Sequence, residues 1–558
     1  MPVPTNRPHL LFFSLLAFVV PIVHAEQALI VLDGEFNDWS GVPPVYKDAG
    51  DNGDHDLLRL WLADDDDYLF LRFEVNREIF VQDYNEITLY LDTDLNAETG
   101  YSPWEGMGAE LVWTFGLRRG SQYVNQGIST ILARDIGLRG GPTHTGTMYE
   151  FGIARDATPG FGDNPLFTQN DIRLALVWPD GDTDDRIPNA GEHLQYTMSK
   201  GELPPDTPIA LARSNPADIR VVSYNVLGSG IFFNPDAYRR QLQAVEPDII
   251  CLQEAAGPRD VLAGYLNEWL PLGNGQAWQI AAYFDVPVIS RFPVVSTWQV
   301  GEDQFVLLDT TDAWGHPLLL LNAHLRCCGS DVARQREIDE HMAFIRDAQS
   351  VASGPIIAAG SPVMLVGDMN FVGFVAQVLT ATTGNIVNED LFGPDFAPDW
   401  DGTPFANVVP RLTERRLGYT WRNDNSDFWP GKLDYHIYSD SLLALQNSYV
   451  LQTLDMPPAK LADYGLLADD SLISDHLLFV ADYRYEPAMQ AGDANGDDTF
   501  GVDDLYLIQH CLNGPEDDPL PSGPVTPNEC RYHYDRDGDA DVDLKDVATA
   551  TTALHGGG

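Results

Sequence analysis

The sequence predicts a multidomain chain: an all-β sandwich, then a layered α/β domain, then a small helical module. Three observations predict it. Apolar residues alternate with polar or aromatic ones around 69–75 and 87–91. Apolar runs alternate with helix-spaced segments through 218–485, and one Asp-rich pattern occurs twice after residue 492. The 558 residues suit about three domains of roughly 100–200 residues each. The expected divisions are a leader (1–25), a sandwich (26–200), a linker (201–217), a central domain (218–485), a short linker (486–491) and a C-terminal module (492–558).

Hydrophobic residues make up 44% of the chain and aromatic residues 11%, which supplies packed cores and excludes a disordered or fibrous chain. With 33 Lys+Arg against 83 Asp+Glu, the formal net charge is −50. A protein that coats nucleic acid or membranes needs a basic surface, so that class is excluded. The excess is spread, about −20 over 26–217, −19 over 218–486 and −12 beyond. It suits either a salty environment or many cation sites.

Residues 1–25 read as a secretory signal peptide. Arg7 precedes the apolar run Leu10–Val23, and Val23-His24-Ala25 offers a small residue for cleavage. The run is shorter than the ~20 residues that span a membrane, and no later segment is long enough, so a secreted or cell-surface protein is expected. Export permits disulfides. Cys511 and Cys530 flank a Pro-rich loop that a bridge would close, and Cys251 lies in an apolar run as a buried thiol. Cys327 and Cys328 are adjacent, and either a vicinal bridge or two thiols is open.

In 26–200, turn signals such as Asp33-Gly34, Asn52-Gly53 and Asp180-Gly181 separate the alternating runs, as in an antiparallel sandwich. The cluster Asp48, Asp51, Asp54 and Asp56 offers oxygen ligands for calcium or a solvated loop. Trp39, Trp104, Trp113 and Trp178 offer a sugar-stacking platform or core. LDGEFNDW, DAGDNGDHD and LYLDTDLNAETGY resemble family 9 carbohydrate-binding modules and DOMON-like sandwiches. That resemblance implies a glycan or cell-surface ligand.

The central region opens with a strand at Asp218–Asn225. Asn234-Pro235 then starts a helix carrying Tyr238, Leu242 and Val245 on one face. Further strands are expected at Asp248–Glu254, Leu318–Leu325, Val363–Asp368, Lys432–Ser439 and His476–Asp482, with Ile338, Met342 and Ile345 on a helix after Asp331. Several of these apolar runs end or begin abruptly on a polar group: Asn225, Glu254, His324, Asp368 with Asn370, Asp434, and Asp475 with His476. One costly polar group at a sheet edge is ordinary, but six drawn from Asp, Glu, Asn and His in one region point to shared chemistry. Hard oxygen ligands, an imidazole and orienting amides are what metal-assisted phosphoryl chemistry requires.

At these residues the chain resembles the endonuclease/exonuclease/phosphatase superfamily, with the deoxyribonuclease I-like four-layer α/β sandwich. VVSYNVL, DIICLQE, VISRFPVV, NAHL, VGDMN, GYTW…KLDYHIYSD and SDHLLF follow in the family's order over about 218–485. The resemblance implies that Glu254, helped by Asn225, binds Mg²⁺ or Mn²⁺. Asp368 and Asn370 would position phosphate and water, with Asp475 assisting metal or water. His476 would act as base or charge stabiliser with its ring oriented by Asp434, and His324 would protonate the leaving oxygen or bind phosphate. Arg291 would contact substrate phosphate, or form a structural ion pair. Leu227 stands where apurinic-site repair endonucleases carry an acid, which argues against that subgroup. Arg326, Arg334, Arg422 and Lys432 are candidate phosphate-steering cations.

The tail carries DANGDDTFGVDD (493–504) and DRDGDADVDLKD (535–546), with oxygen donors at positions one, three, five and twelve of each. Calcium would be held by Asp493, Asn495, Asp497, Thr499 and Asp504, and by Asp535, Asp537, Asp539, Asp541 and Asp546. Asp at position twelve, with no evident incoming helix, resembles type I dockerin repeats rather than a full EF-hand. This implies a calcium-folded α module with a cohesin-like partner, although a purely structural role fits equally.

Together these readings describe a secreted, divalent-metal-dependent phosphodiesterase, with an extracellular endonuclease acting on nucleic acid as the leading form. The alternatives are a sphingomyelinase-like phospholipid hydrolase or another small phosphodiester or phosphomonoester hydrolase, and a non-catalytic adhesion protein. Loss of activity would be expected to erase Glu254, Asp368 or His476, and all three are present. The acidic surface predicts weak substrate binding and dependence on divalent metal.

Overall fold

The computed structural model describes residues 22–24, 28–48, 50, 53–124, 127–160, 164–179, 184–199, 206–350, 357–488, 492–494, 500–515, 517–519, 521 and 525–556. Most of the expected leader, Asp51, the start of the first linker and Asn495, Asp497 and Thr499 lie outside them. Of the leader, Ile22–His24 forms a strand paired in parallel with Leu194–Thr197. Among the described residues no helix is long and apolar enough to cross a membrane.

The N-terminal region is built from an eight-stranded and a five-stranded sheet, mostly antiparallel. Long alternating strands such as Tyr68–Ile79 and Gly146–Ala154 pair along most of their length. They turn Leu69, Leu71 and Phe73 into a core shared with Leu89, Leu91, Trp113 and Leu176 of the other sheet. Trp39, Trp113 and Trp178 are fully buried, which of their two readings selects core over a sugar platform; Trp104 is half-exposed. Asp48 and Asp56 come together with Asp185 rather than with Asp54.

The central region holds two six-stranded sheets. In the first, Ile219–Asn225 runs parallel to Ile249–Gln253 and antiparallel to Leu478–Tyr485. In the second, Leu318–His324 runs parallel to Val363–Asp368, which is antiparallel to Asp434–Tyr438. Parallel neighbours need a crossover, and the helices Pro235–Val245 and Asp331–Ala348 provide it. Val221, Ile249 and Cys251 of the first sheet share one core with Leu319, Leu321 and Leu365 of the second. The first sheet's other face, with Val222, Tyr224 and Leu252, packs on Tyr238, Leu242 and Leu266. Ile338, Met342 and Ile345 cover the second sheet, so the layers run helix, sheet, sheet, helix. Gly367 is required where two strands meet: at φ 140° a Cβ would lie 2.1 Å from the Ala323 carbonyl oxygen.

The described part of the expected linker is not a free tether. Arg416 holds the Asp206 carboxylate, Asn447 Nδ2 donates to the Ala210 carbonyl, and Leu211 is buried. The sandwich is likewise docked on the central region. The Leu32 amide donates to the Arg416 carbonyl and the Gly418 amide to the Leu32 carbonyl, and Trp429, from the loop preceding Asp434, is 1% exposed inside the sandwich core, edge-on to Phe151 at 5.6 Å.

At the C-terminus, Val502–Leu507, Pro527–Tyr534 and Leu544–Gly556 are helices, and Cys511 and Cys530 form the expected disulfide. Pro527–Tyr534 leads directly into the second Asp-rich loop, so an incoming helix exists there. Thr526 caps it, and its sequence hides it because Pro, Cys and three aromatic rings break the usual apolar spacing. Asn528 binds Gln349 and the Ala397 carbonyl of the central region.

Candidate active site

Strand register assembles the site. Asn225 pairs with Gln253, which puts Glu254 one residue beyond the same sheet edge. In the second sheet His324 pairs with Asp368 and Asp368 with Asp434, so three expected residues stand abreast. His476 arrives in the turn before Leu478–Tyr485, where it bridges to Trp421. Both sheets therefore end on the same polar cluster. Glu254 adopts φ 54°, a costly backbone for a glutamate, and Asn370 adopts φ 48°, which asparagine tolerates better than most residues. Such strain concentrates at functional sites.

The cluster is closely connected. Asn225 Nδ2 donates to Glu254 Oε1 and to Asp368 Oδ2, at 3.1 Å each. The Gly228 amide donates to Glu254 Oε2 at 2.6 Å. His476 Nδ1 lies 2.8 Å from Asp434 Oδ2, and its Nε2 lies 3.4 Å from Asp368 Oδ2. His324 Nε2 approaches the same oxygen at 3.7 Å, while its Nδ1 faces Asp285 at 3.6 Å. Asn370 Nδ2 is anchored on the Leu325 carbonyl. Asp475 accepts a hydrogen bond from the Trp421 indole at 3.2 Å and lines a cleft of about 350 Å³ with Leu227, Arg422, Asn423, Leu454 and Leu472.

Charge balance follows from this packing. Burial opposes a charged His476 ring, but Asp434 and Asp368 outweigh it and hold its pKa up at about 10. His324 is governed by the same contest, with Asp285 and Asp368 raising it to about 9 against burial. Burial pushes Asp368 up to about 6 against the pull of His476.

The donor set fits a hard divalent cation. The Asp368 and Asp434 carboxylates offer oxygens within 4.8 Å of each other, and the Glu254 carboxylate adjoins Asp368 through Asn225, while the charged His476 ring beside them is no ligand. Asp434 Oδ1 is buried without a hydrogen-bond partner, as a group reserved for an ion would be.

Arg291 is a correction. It follows Ser290, which pairs with Ile249, the residue at the opposite end of its strand from Glu254. Its guanidinium pairs with Asp248 at 2.9 Å, so it forms the structural ion pair rather than a phosphate contact. Most of the other cations are also engaged: Arg326 with Glu302 and Glu337, Arg334 with Asp331, and Arg422 with Asp424. Lys432 Nζ donates to Asn407 and the Val408 carbonyl, and burial lowers its pKa to about 8.

Sequence reasoning missed Asp285, Trp421 and Thr143. Asp285 steadies His324, and Trp421 holds Asp475. Thr143, from the sandwich, donates from its hydroxyl towards the carbonyls of Phe371 and Lys432. It thereby ties together the segments that follow Asn370 and precede Asp434. Only Trp421, inside GYTW, carried a signal.

Residues 222–476 match the model of the Endonuclease/Exonuclease/phosphatase family. That match lies within the central domain. Endonuclease/exonuclease/phosphatase domains are metal-dependent, and this chain is a hydrolase acting on phosphate ester bonds. No curated protein matches the chain. Similar solved structures include the catalytic domain of human nocturnin with bound sulfate, at 16% identity and TM-score 0.29, covering 49% of this chain and 96% of that one. Sphingomyelinase C from Streptomyces griseocarneus has 16% identity and TM-score 0.29, covering 48% and 99%. The AP endonuclease LMAP from Leishmania major has 15% identity and TM-score 0.28, covering 50% and 93%.

In the second Asp-rich loop, the expected ligands form two overlapping groups, Asp535–Asp537–Asp539 and Asp539–Asp541–Asp546. The Asp546 carboxylate accepts from the amides of Arg536 and Asp543, and Lys545 pairs with Asp539. Asp493 and Asp504 of the first loop are buried, while its middle lies outside the described residues.

Proposed function

We propose that the chain is an exported phosphodiesterase that hydrolyses nucleic acid outside the cell. The observation that carries the hydrolytic part is the Asp434–His476–Asp368 alignment beside Glu254 and Asn225. Asp434 accepts the Nδ1 proton of His476, which fixes the ring and leaves Nε2 facing the reaction space. Charged at neutral pH, His476 stabilises negative charge on the phosphoryl group, and His324 donates a proton to the leaving oxygen. Asp368 and Asn370 align water and phosphate, and Asp475 supports them. A divalent cation held by Glu254 and Asp368 supplies Lewis-acid neutralisation of phosphoryl charge.

A second reading has a specific observation behind it. Leu227, Leu454 and Leu472 line the adjacent cleft and are 47%, 40% and 53% exposed. Such a wall suits a phosphodiester with an apolar portion, such as a phospholipid. In both readings the flanking modules, with the divisions at 201–217 and 486–491, attach the enzyme to glycan or to a cohesin-like partner. A panel of DNA, RNA, sphingomyelin and inositol phosphates at several salt concentrations tests the substrate. Turnover of sphingomyelin without turnover of DNA or RNA would overturn the nuclease reading in favour of the lipid.

A further inference from the structure

The sandwich contains a second carboxylate cluster, unrelated to the hydrolytic site. The strands Thr88–Asp92 and Leu111–Thr114 pair through Leu91 and Leu111, so Asp92 and Glu110 face each other at the next position. Asp94 follows two residues later. One carboxylate oxygen from each of Asp92, Asp94 and Glu110 lies within 4.8 Å of the other two.

Like charges directly opposed on an antiparallel pair destabilise it, and burial magnifies the cost. Here the compensation is incomplete. Asp92 is fully buried, and Arg173 reaches its Oδ2 at 3.2 Å, but Oδ1 is buried with no hydrogen-bond partner. Glu110 shows the same asymmetry. Its Oε2 accepts the Thr93 amide at 2.8 Å, while Oε1 is buried and unpartnered. One guanidinium thus stands against three carboxylates, with the Leu95 and Gly108 amides adding only partial support to Asp92. The loop packs closely on the strand here: at Gly100, with φ 69°, a Cβ would meet the Ala109 carbonyl first, at 2.5 Å, and then Glu110 Oε1 at 2.7 Å. Thr99 Oγ1 and the Asn96 amide meanwhile hold the Asp94 carboxylate in place.

We propose that Asp92, Asp94 and Glu110 bind a calcium ion that fastens the Thr93–Ala109 loop to the sandwich. Carboxylates on an irregular loop suit Ca²⁺, which takes six to eight oxygens in flexible geometry. Mg²⁺ demands a near-ideal octahedron and keeps its waters. The hydrolytic centre and the C-terminal loops are separate sites on other parts of the chain.

The test is calcium titration of the full chain, stripped with chelator, at pH 8, beside the Glu110→Gln and Asp94→Asn variants. The hydrolytic and C-terminal sites are common to all three proteins, so the difference reports this site alone. Both variants are expected to bind one calcium equivalent fewer and to lose part of the calcium-dependent rise in Tm. In chelator, Glu110→Gln is expected to melt at or above the wild-type temperature, because it removes a like charge. Equal stoichiometry in wild type and in a folded Asp94→Asn variant would overturn the proposal. So would a Glu110→Gln protein that is less stable than wild type in chelator and equally responsive to calcium.

Discussion

Trp429 links the sandwich to the reaction centre, and replacing it tests whether that link matters. Its ring is 1% exposed in the sandwich core, against Phe151 and Phe115. The loop that carries it is bounded by Trp421, which holds Asp475, and by Asp434, which holds His476. Truncating a buried Trp to Ala costs about 3–5 kcal/mol. At 1.4 kcal/mol per tenfold, this weakens docking of the loop by a factor of about 10² to 4 × 10³. The assay is kcat on a chromogenic phosphodiester, together with hydrogen exchange in peptides covering 421–433. Trp429→Ala should raise exchange there and lower kcat at least tenfold, and Trp429→Phe should recover most of both. If kcat stays at the wild-type value while the loop exchanges freely, the sandwich does not support the site and the reasoning fails.

Other outcomes follow from the same geometry. Asp434→Asn removes the charge that anchors His476 Nδ1, so kcat should fall by about 10²–10⁴, the usual contribution of a positioned acid–base group. The ionisation of His476 should also move towards 6.5; a pH–rate profile unchanged from wild type would refute this role. Stability in chelator should depend on pH with a definite sign. His476 and His324 have folded pKa values of about 10 and 9, above the unfolded 6.5. Their contribution is complete below about pH 6.5 and is lost as pH rises through 9–10. The urea midpoint should therefore fall between pH 6.5 and 10, with a shallower fall in His476→Gln; a rising midpoint in wild type would contradict the balance of charges. Replacing both Cys511 and Cys530 with Ser opens a loop of about 20 residues. This should cost roughly 3 kcal/mol in the C-terminal module, read as earlier urea unfolding of that module.

The central site was legible because each of its residues ends or abuts a short apolar run; parallel pairing brings the strand ends together, and an antiparallel partner adds its first residue, Asp434. Asn225, Glu254, His324, Asp368 and Asp434 are of this kind, and strand register alone aligns them. What escaped notice depends on partners distant in sequence. Arg291 sits in a motif, yet its partner Asp248 lies just before the neighbouring strand, at the wrong end for a phosphate. Trp39, Trp113 and Trp178 look like any aromatic residues until the sheets close over them. Trp429 and Thr143 join segments almost three hundred residues apart, and nothing local marks either as part of an interface. The adjacent cysteines left two states open, and the structure joins Cys327 to Cys328.

The most direct test is metal-dependent hydrolysis itself. Purified protein, given a chromogenic phosphodiester, should be active with Mg²⁺ or Mn²⁺, silent in chelator, and restored when metal is returned. Glu254→Ala and His476→Ala should abolish the activity while keeping the wild-type circular dichroism spectrum. Wild-type turnover that persists in chelator, or survives both substitutions, would contradict the account.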